Sequence, residues 1–180
     1  MSDYLYHHGI KGQKWGKRNG PPYPLDDTKG LNDILRSVKD ISYDNTEHGL
    51  KSHAKVLADK TGNCHDQTKF IIDLLRANGE NPKGFFVMEV NPKTGQGGMT
   101  HSFPYISKNN IYWIENAWNG NKGIHEFNNM QSVKKYLETQ HKTGSFGNSD
   151  QYSALLFGDF DVDVLKDGDS LQEIVDKCLS

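Results

Sequence analysis

The hydrophobic pattern of this chain changes period once, just after Asn78-Gly79, and that change restricts the fold more than any other feature. Before it, apolar residues recur at the helical spacing of about 3.6; after it, they alternate at about 2. Helices followed by a run of strands imply an α+β fold with the helices packed against an antiparallel sheet. In the helical half, Leu31, Ile34, Leu35, Val38 and Ile41 form one stripe, which Asp27 or Thr28 can cap. A second helix is expected over about Glu47 to Asp59, and a third after Thr61-Gly62-Asn63-Cys64, with Phe70, Ile71, Leu74 and Leu75 inward. In the strand half, Gly84 to Val90, Thr100 to Ile106, Ile111 to Trp118 and Gly123 to Phe127 read as strands. A helix then starts at Asn129 or Ser132, and Tyr152 to Phe157 and Phe160 to Leu165 read as further strands. Ser170 with Glu173 forms a capping-box pattern for a short last helix.

Residues 1–27 follow neither period. Gly9, Gly12, Gly16 and Gly20 recur through them, and Pro21, Pro22 and Pro24 forbid a helix. The segment reads as a flexible basic arm carrying Tyr4, Tyr6, Ile10 and Trp15, which suggests docking. One domain is expected over 28–180, since 180 residues suit a single core. The net charge of −2 gives no general attraction to nucleic acid. The chain has no apolar run of membrane-spanning length and no secretory pattern at its start. Two distant cysteines, Cys64 and Cys178, fit a reducing compartment better than a disulfide framework.

The chemistry concentrates at Cys64. It stands where a glycine-containing turn enters a helix, and the positive end of a helix favours a thiolate. Free backbone N–H groups in the first turn can also receive an oxyanion. A single cysteine is more often a small buried hydrophobe, so a partner is needed. His101, on a later strand, is the candidate base that takes the thiol proton and returns it to a leaving group. A third group must orient that imidazole. The next strand offers Glu115 and Asn116, and because side chains alternate only one of them can face His101. The alternative for Glu115 is an exposed place on an edge strand. Trp113, Trp118 and Asn63 flank these positions and are the candidate binding residues; the alternative for the tryptophans is the core.

The segments GNCHDQTKFIIDLLRANG, THSFPYI and YWIENAW together resemble the transglutaminase-like superfamily, whose members share a papain-type core. In that family a cysteine opens a helix with an ending similar to Arg76-Ala77-Asn78-Gly79, a strand brings the histidine, and a further strand brings an aspartate. The resemblance covers roughly 60–127 and implies Cys64 as nucleophile, His101 as base and acid, and Glu115 as the orienting acid. Glutamate or asparagine stands where the family has aspartate, and Phe103 follows the histidine as an aromatic residue does in the family. Implied is a thiol-dependent hydrolase or acyltransferase acting on an amide or isopeptide bond of a protein or peptide, or an inactive binding module of the same fold. No cofactor is expected. A second resemblance lies in Tyr6 to Arg18, similar to the HHGIKGQKWG segment of tailed-phage and prophage proteins; it implies a phage-encoded chain located in a virion or in the bacterial host cytoplasm.

Other clusters lead elsewhere. His7-His8 and Cys64-His65 lack further ligands at zinc spacing, so no metal site is expected. Asp159, Asp161 and Asp163 lack the glycine of a calcium loop and read as the polar face of a strand. Cys178 reads as structural or incidental.

Overall fold

The computed structural model describes residues 29–180. The readings placed on residues 1–28, including the basic arm and the cap at Asp27 or Thr28, lie outside the described residues. The helical half supplies α1 (Lys29–Val38), α2 (His53–Asp59) and α3 (Cys64–Ala77), with two short strands, β1 (Ser42–Tyr43) and β2 (Thr61–Gly62), between them. The strand half supplies β3 (Pro82–Val90), β4 (Gly97–Ser107), β5 (Ile111–Glu115) and β6 (Gly123–Phe127). Helix α4 (Met130–Lys142), β7 (Ala154–Phe160) and α5 (Leu171–Leu179) complete the α+β architecture. The five long strands form one antiparallel sheet in the order β6-β5-β4-β3-β7, while β1 and β2 pair in parallel.

Both faces of the sheet are covered. Ile106, Tyr112 and Ile114 point toward α1, α2 and α3, meeting Leu31, Ile34, Val38, Val56, Phe70, Ile71 and Leu75. Phe86 and Phe160 continue this face under α3 and α5, against Ile72, Ile174 and Cys178. The alternate residues Phe85, Val87, Phe103, Tyr105, Ile111 and Trp113 face the other way, onto Val133 and Leu137 of α4 and onto Phe146. The period of 2 therefore reads out as two cores, one on each side of a single sheet. Fully buried side chains such as Phe85, Phe86 and Phe103 each contribute about 2–3 kcal/mol of apolar transfer.

The helix ends follow their local chemistry. Asn63 caps α3 and Asp66 closes the capping box. Ser170 and Glu173 do the same for α5, and Asn129 caps α4. Among the described residues, no helix is long and apolar enough to cross a membrane.

Three expected boundaries move. The helix expected from Glu47 starts only at His53, with Ser52 as its cap. The residues before it are held as extended chain: Leu50 N–H donates to Asp169 O at 2.8 Å and Gly168 N–H donates to Leu50 O at 2.7 Å. Strand β5 stops at Glu115 rather than Trp118, because the Glu115 carboxylate itself accepts the N–H groups of Ala117 and Trp118 and turns the chain. Phe160 to Leu165 is not a strand. After β7 the chain makes one 3-10 turn, Val162–Val164, capped by Asp161. The three aspartates consequently do not share a strand face. Asp159 accepts the Tyr105 hydroxyl at 2.6 Å, whereas Asp161 and Asp163 hold the Arg76 guanidinium at 2.9 and 2.7 Å. Cys178 is buried under β7, and burial pushes its thiol up to about 12, which leaves it inert.

A buried carboxylate–imidazole contact braces the α4 side. Glu89 accepts from His141 Nε2 at 2.9 Å, from Met99 N–H at 2.9 Å, and from Asn148 N–H. Gly147 passes so close that a Cβ would fall 2.0 Å from Glu89 Oε1, at a backbone φ of 67°. Gly144 has a similar φ of 74° but open space around its Cβ position. Gly144→Ala should therefore cost only the left-handed backbone penalty, about 1–2 kcal/mol. Gly147→Ala should cost clearly more, about 3 kcal/mol or above, because it also displaces the Glu89 carboxylate. Urea midpoints of the two variants check this ordering; equal losses would show that the Glu89 contact has no weight.

Candidate active site

The site begins at the start of α3. Residue Tyr43 pairs with Gly62 across β1 and β2, which fixes the turn leading into Asn63 and Cys64. Asn63 Oδ1 accepts the N–H groups of His65 and Asp66 at 2.9 and 3.0 Å, and Asn63 O accepts that of Gln67 at 3.0 Å. Asp66 reaches back to the Asn63 N–H at 2.8 Å. The cap thus satisfies the first-turn amides around Cys64 and does not take the Cys64 N–H. Cys64 is buried, and its thiol points toward Thr100 O at 3.9 Å.

The second part comes from a gap in the sheet. Strands β4 and β5 pair only over Tyr105↔Trp113, Ile106↔Tyr112 and Ser107↔Ile111. Beyond Tyr105 they part, and His101 and Glu115 lie in the opening. His101 Nε2 donates to Glu115 Oε2 at 2.7 Å, and both groups are buried. Glu115 is saturated with donors. Trp113 Nε1 donates to it at 3.1 Å, Ala117 N–H at 2.7 Å and Trp118 N–H at 2.8 Å. The imidazole is ringed by Phe103, Trp113, Trp118 and Phe146, with centroids between 5.8 and 6.5 Å away. With Nε2 committed to Glu115, the ring has Nδ1 left to serve the Cys64 thiol.

Electrostatics couple the three groups. Burial alone would push the Cys64 thiol up, but the imidazoles of His65 and His101 outweigh it and hold the thiol well below its ordinary value. Burial opposes a charge on His101, yet the Glu115 carboxylate, and after it the Cys64 sulfur, push its pKa up to about 10. Burial would likewise raise Glu115, but the charge and hydrogen bond of His101 and the N–H groups of Trp118 and Ala117 keep it below the usual range. The arrangement favours a thiolate–imidazolium pair with a carboxylate behind it.

The structure sorts the remaining candidates. Asn116 points away from His101: its Nδ2 donates to Gln67 Oε1 at 2.7 Å, to Val38 O at 3.0 Å and to Ile41 O at 3.3 Å. It therefore braces the helical layer, and the alternation along β5 leaves the orienting position to Glu115. Asn63 lines the cavity beside Cys64, but its carbonyl oxygen is used in the helix cap. Trp113 is wholly buried and stacks on Phe103 at 3.8 Å, so it is core as well as a donor to Glu115. Trp118 is half-buried and meets His101 edge-on.

Three residues join the site that sequence reasoning did not select. His65, weighed in the sequence only as a zinc ligand, has Nδ1 2.9 Å from Ser102 Oγ and Nε2 3.3 Å from Thr100 Oγ1, so the ring ties α3 to β4 beside the thiol. Its adjacency to Cys64 was the available signal. Tyr43 and Phe146 come from distant segments, and nothing in their local sequence marks them. A cavity of about 280 Å³ opens at Cys64, walled by Tyr43, Asp44, His48, Thr100, Leu171 and Ile174 among others. Among the described residues, no cluster of three or more His, Cys, Asp and Glu side chains forms a metal-ligand set. No protein-family model, no curated protein and no solved structure matches the chain.

Two outcomes follow from this geometry. A depressed thiol pKa shifts thiolate formation to the acid side, so alkylation of Cys64 by iodoacetamide, followed by intact mass, should be near its plateau by about pH 7. In His101→Ala the midpoint should move toward the ordinary thiol value of about 8.5; a wild-type midpoint already there would rule out the ion pair. Separately, Glu115→Ala removes the partner of a buried imidazolium and leaves three N–H donors unsatisfied, so it should lower stability by about 3–5 kcal/mol. Glu115→Gln, which keeps an acceptor, should lose less. Chemical denaturation of both variants measures the difference.

Proposed function

We propose that the chain is a thiol-dependent hydrolase or acyltransferase of the transglutaminase-like type, using Cys64, His101 and Glu115 on an amide or isopeptide bond of a protein or peptide. The observation that carries this reading is the placement of one buried imidazole between a depressed-pKa thiol and a carboxylate held at 2.7 Å. The order of the parts supports the family reading: nucleophile at a helix start, base on the central region of an antiparallel sheet, acid on the neighbouring strand. The thiolate would attack the acyl carbon to give a thioester. The imidazolium would protonate the leaving amine, and water or a second amine would then release the acyl group. The segment Tyr6 to Arg18 supports a phage or prophage origin, with the protein in the virion or the host cytoplasm and the arm as its docking element.

One observation favours a second reading, an inactive virion or host-interaction module that keeps the fold. Cys64 and His101 are only 3% and 6% exposed, so a substrate must enter through a narrow opening. Incubation of the full chain with casein peptides and cadaverine separates the readings. Hydrolysis would appear as new peptide termini or deamidated glutamine, and transfer as cadaverine added at glutamine, each lost in Cys64→Ser. Wild type that gives none of these products and no thioester at Cys64 would support the module.

A further inference from the structure

We infer that Tyr43 is a catalytic residue of this site: its hydroxyl, together with the Cys64 backbone N–H, receives the carbonyl oxygen of the acyl group under attack. The inference rests on the Cys64–His101–Glu115 reading and assigns the part of the machinery which that triad does not supply. An acyl transfer through a thiolate places a negative charge on the former carbonyl oxygen, and sites of this chemistry direct fixed donors at that atom.

The donors can be counted. Around the start of α3, the amides of Asn63, His65, Asp66 and Gln67 are each committed to the cap or to the helix. The Cys64 N–H is the first-turn amide adjacent to the nucleophile that the cap leaves for another acceptor. The group set against it is the phenol of Tyr43, which β1 carries opposite Gly62 and which lines the same cavity as Cys64. The backbone explains why a residue so far upstream arrives there. Tyr43 lies on β1 directly opposite Gly62, two positions before Cys64, and β1 is held by Ser42 N–H to Lys60 O at 2.9 Å and Asp44 N–H to Gly62 O at 3.2 Å. Gly62 lets β2 pass tightly against the first turn of α3, since a Cβ there would fall 2.9 Å from Asp66 Cβ. Gln67 Nε2 reinforces the pairing by donating to Gly62 O at 2.8 Å.

Tyr43, Cys64 and Thr100 line the same cavity, so the phenol stands where an incoming acyl group must pass. Tyr43 is 37% exposed and lines the cavity, so it stands at the rim. Burial, and then the neighbouring Cys64 sulfur, raise its pKa, so the hydroxyl keeps its hydrogen across the range in which the thiolate exists. In the resting site that hydrogen is available to the sulfur. During reaction the sulfur forms a bond to the acyl carbon and the carbonyl π electrons move to oxygen. Tyr43 O–H and Cys64 N–H then hydrogen-bond to the oxyanion without transferring a proton. Return of the electron pair expels the leaving group, which takes its proton from the His101 imidazolium.

Comparison of two reactions at the same sulfur tests the assignment in the full chain. Acylation of Cys64 by p-nitrophenyl acetate passes through an oxyanion, whereas alkylation by iodoacetamide is a displacement at saturated carbon and does not. Tyr43→Phe should slow acylation about a hundredfold and leave alkylation within about threefold of wild type. Loss of both rates to the same degree would mean that Tyr43 acts on the thiolate or on the local fold, and would overturn the inference. So would an unchanged acylation rate, or a faster one, which would make Tyr43 a plug over the sulfur. Wild type that is alkylated but not acylated would sink the acyl-transfer reading along with it. Wild type acylated as fast as Tyr43→Phe would sink the Tyr43 assignment alone.

Discussion

The carboxylate of Glu115 is the group on which the site and the end of the sheet depend. A buried carboxylate is costly by several kcal/mol unless its lone pairs are filled, and here four donors fill them. The four donors belong to three structural tasks. Trp113 Nε1 comes from the core stacked on Phe103, and the Ala117 and Trp118 N–H groups form the turn that stops β5. The fourth donor is His101. Because one carboxylate ends the strand and holds the imidazole, the turn that places Trp118 against the ring and the orientation of the ring are a single event. This also explains why the ring can be charged while buried: the negative group is already present, at fixed distance, before any thiol ionises.

The position of that carboxylate requires the sheet to be interrupted. If β4 and β5 paired along their whole lengths, backbone hydrogen bonds would continue beside Phe103 and His101 and bring the two strands side by side. They part after Tyr105↔Trp113 instead, and the opening is lined by side chains from the face that carries Phe103 and Trp113. Cys64 approaches from the helical layer, on the other side of the sheet. Cys64, His101 and Glu115 are therefore brought together through the sheet at its gap rather than on one face. Thr100 and Ser102, which alternate toward the helices, hold His65 and thereby set the depth of the α3 N-terminus relative to His101.

Much of this was legible from the chain itself. The switch from helical to strand period gave the α+β class, the turn through Asn63 and the Ser170–Glu173 pattern marked helix starts that the structure keeps, and of Asn129 and Ser132 the structure uses Asn129 as the cap. The alternation rule reduced Glu115 and Asn116 to one inward choice, and a buried charge needs a partner, which Glu115 has in His101. What was illegible depended on contacts remote in sequence. Glu47 to Lys51 carry a helical-looking pattern, but Leu50 exchanges backbone hydrogen bonds with Gly168 and Asp169, about 120 residues away, and Gly49 packs on Gly168. Lys51 is drawn to Asp44 and Thr61, so the loop walls the cavity instead of coiling. Tyr43 reaches Cys64 only because a two-residue parallel pairing exists, and strands that short leave no periodicity to read. Phe160 to Leu165 failed as a strand because Asp161 caps a turn and Arg76 holds Asp161 and Asp163 outward.

Among the described residues, two fully buried carboxylate–imidazole pairs differ in what surrounds them. Glu89 and His141 match Glu115 and His101 in chemistry and nearly in distance, at 2.9 against 2.7 Å. Glu89, however, spends its other bonds on the backbones of Met99 and Asn148, and Gly98 and Gly147 pack so tightly that a Cβ at either would fall within 2.9 Å of a carboxylate oxygen. Among the described residues no thiol or hydroxyl hydrogen-bonds to His141, and the two glycines crowd the carboxylate. That pair works as a clasp: it ties α4 to the start of β4, two residues before His101, and to the loop that carries Phe146. Phe146 in turn packs against both the His101 ring and Trp118. The closed pair thereby fixes the surroundings of the open one. An imidazole held by a carboxylate is a brace in either place, and only that of His101 is also coupled to a thiol, one that lies at the edge of a cavity.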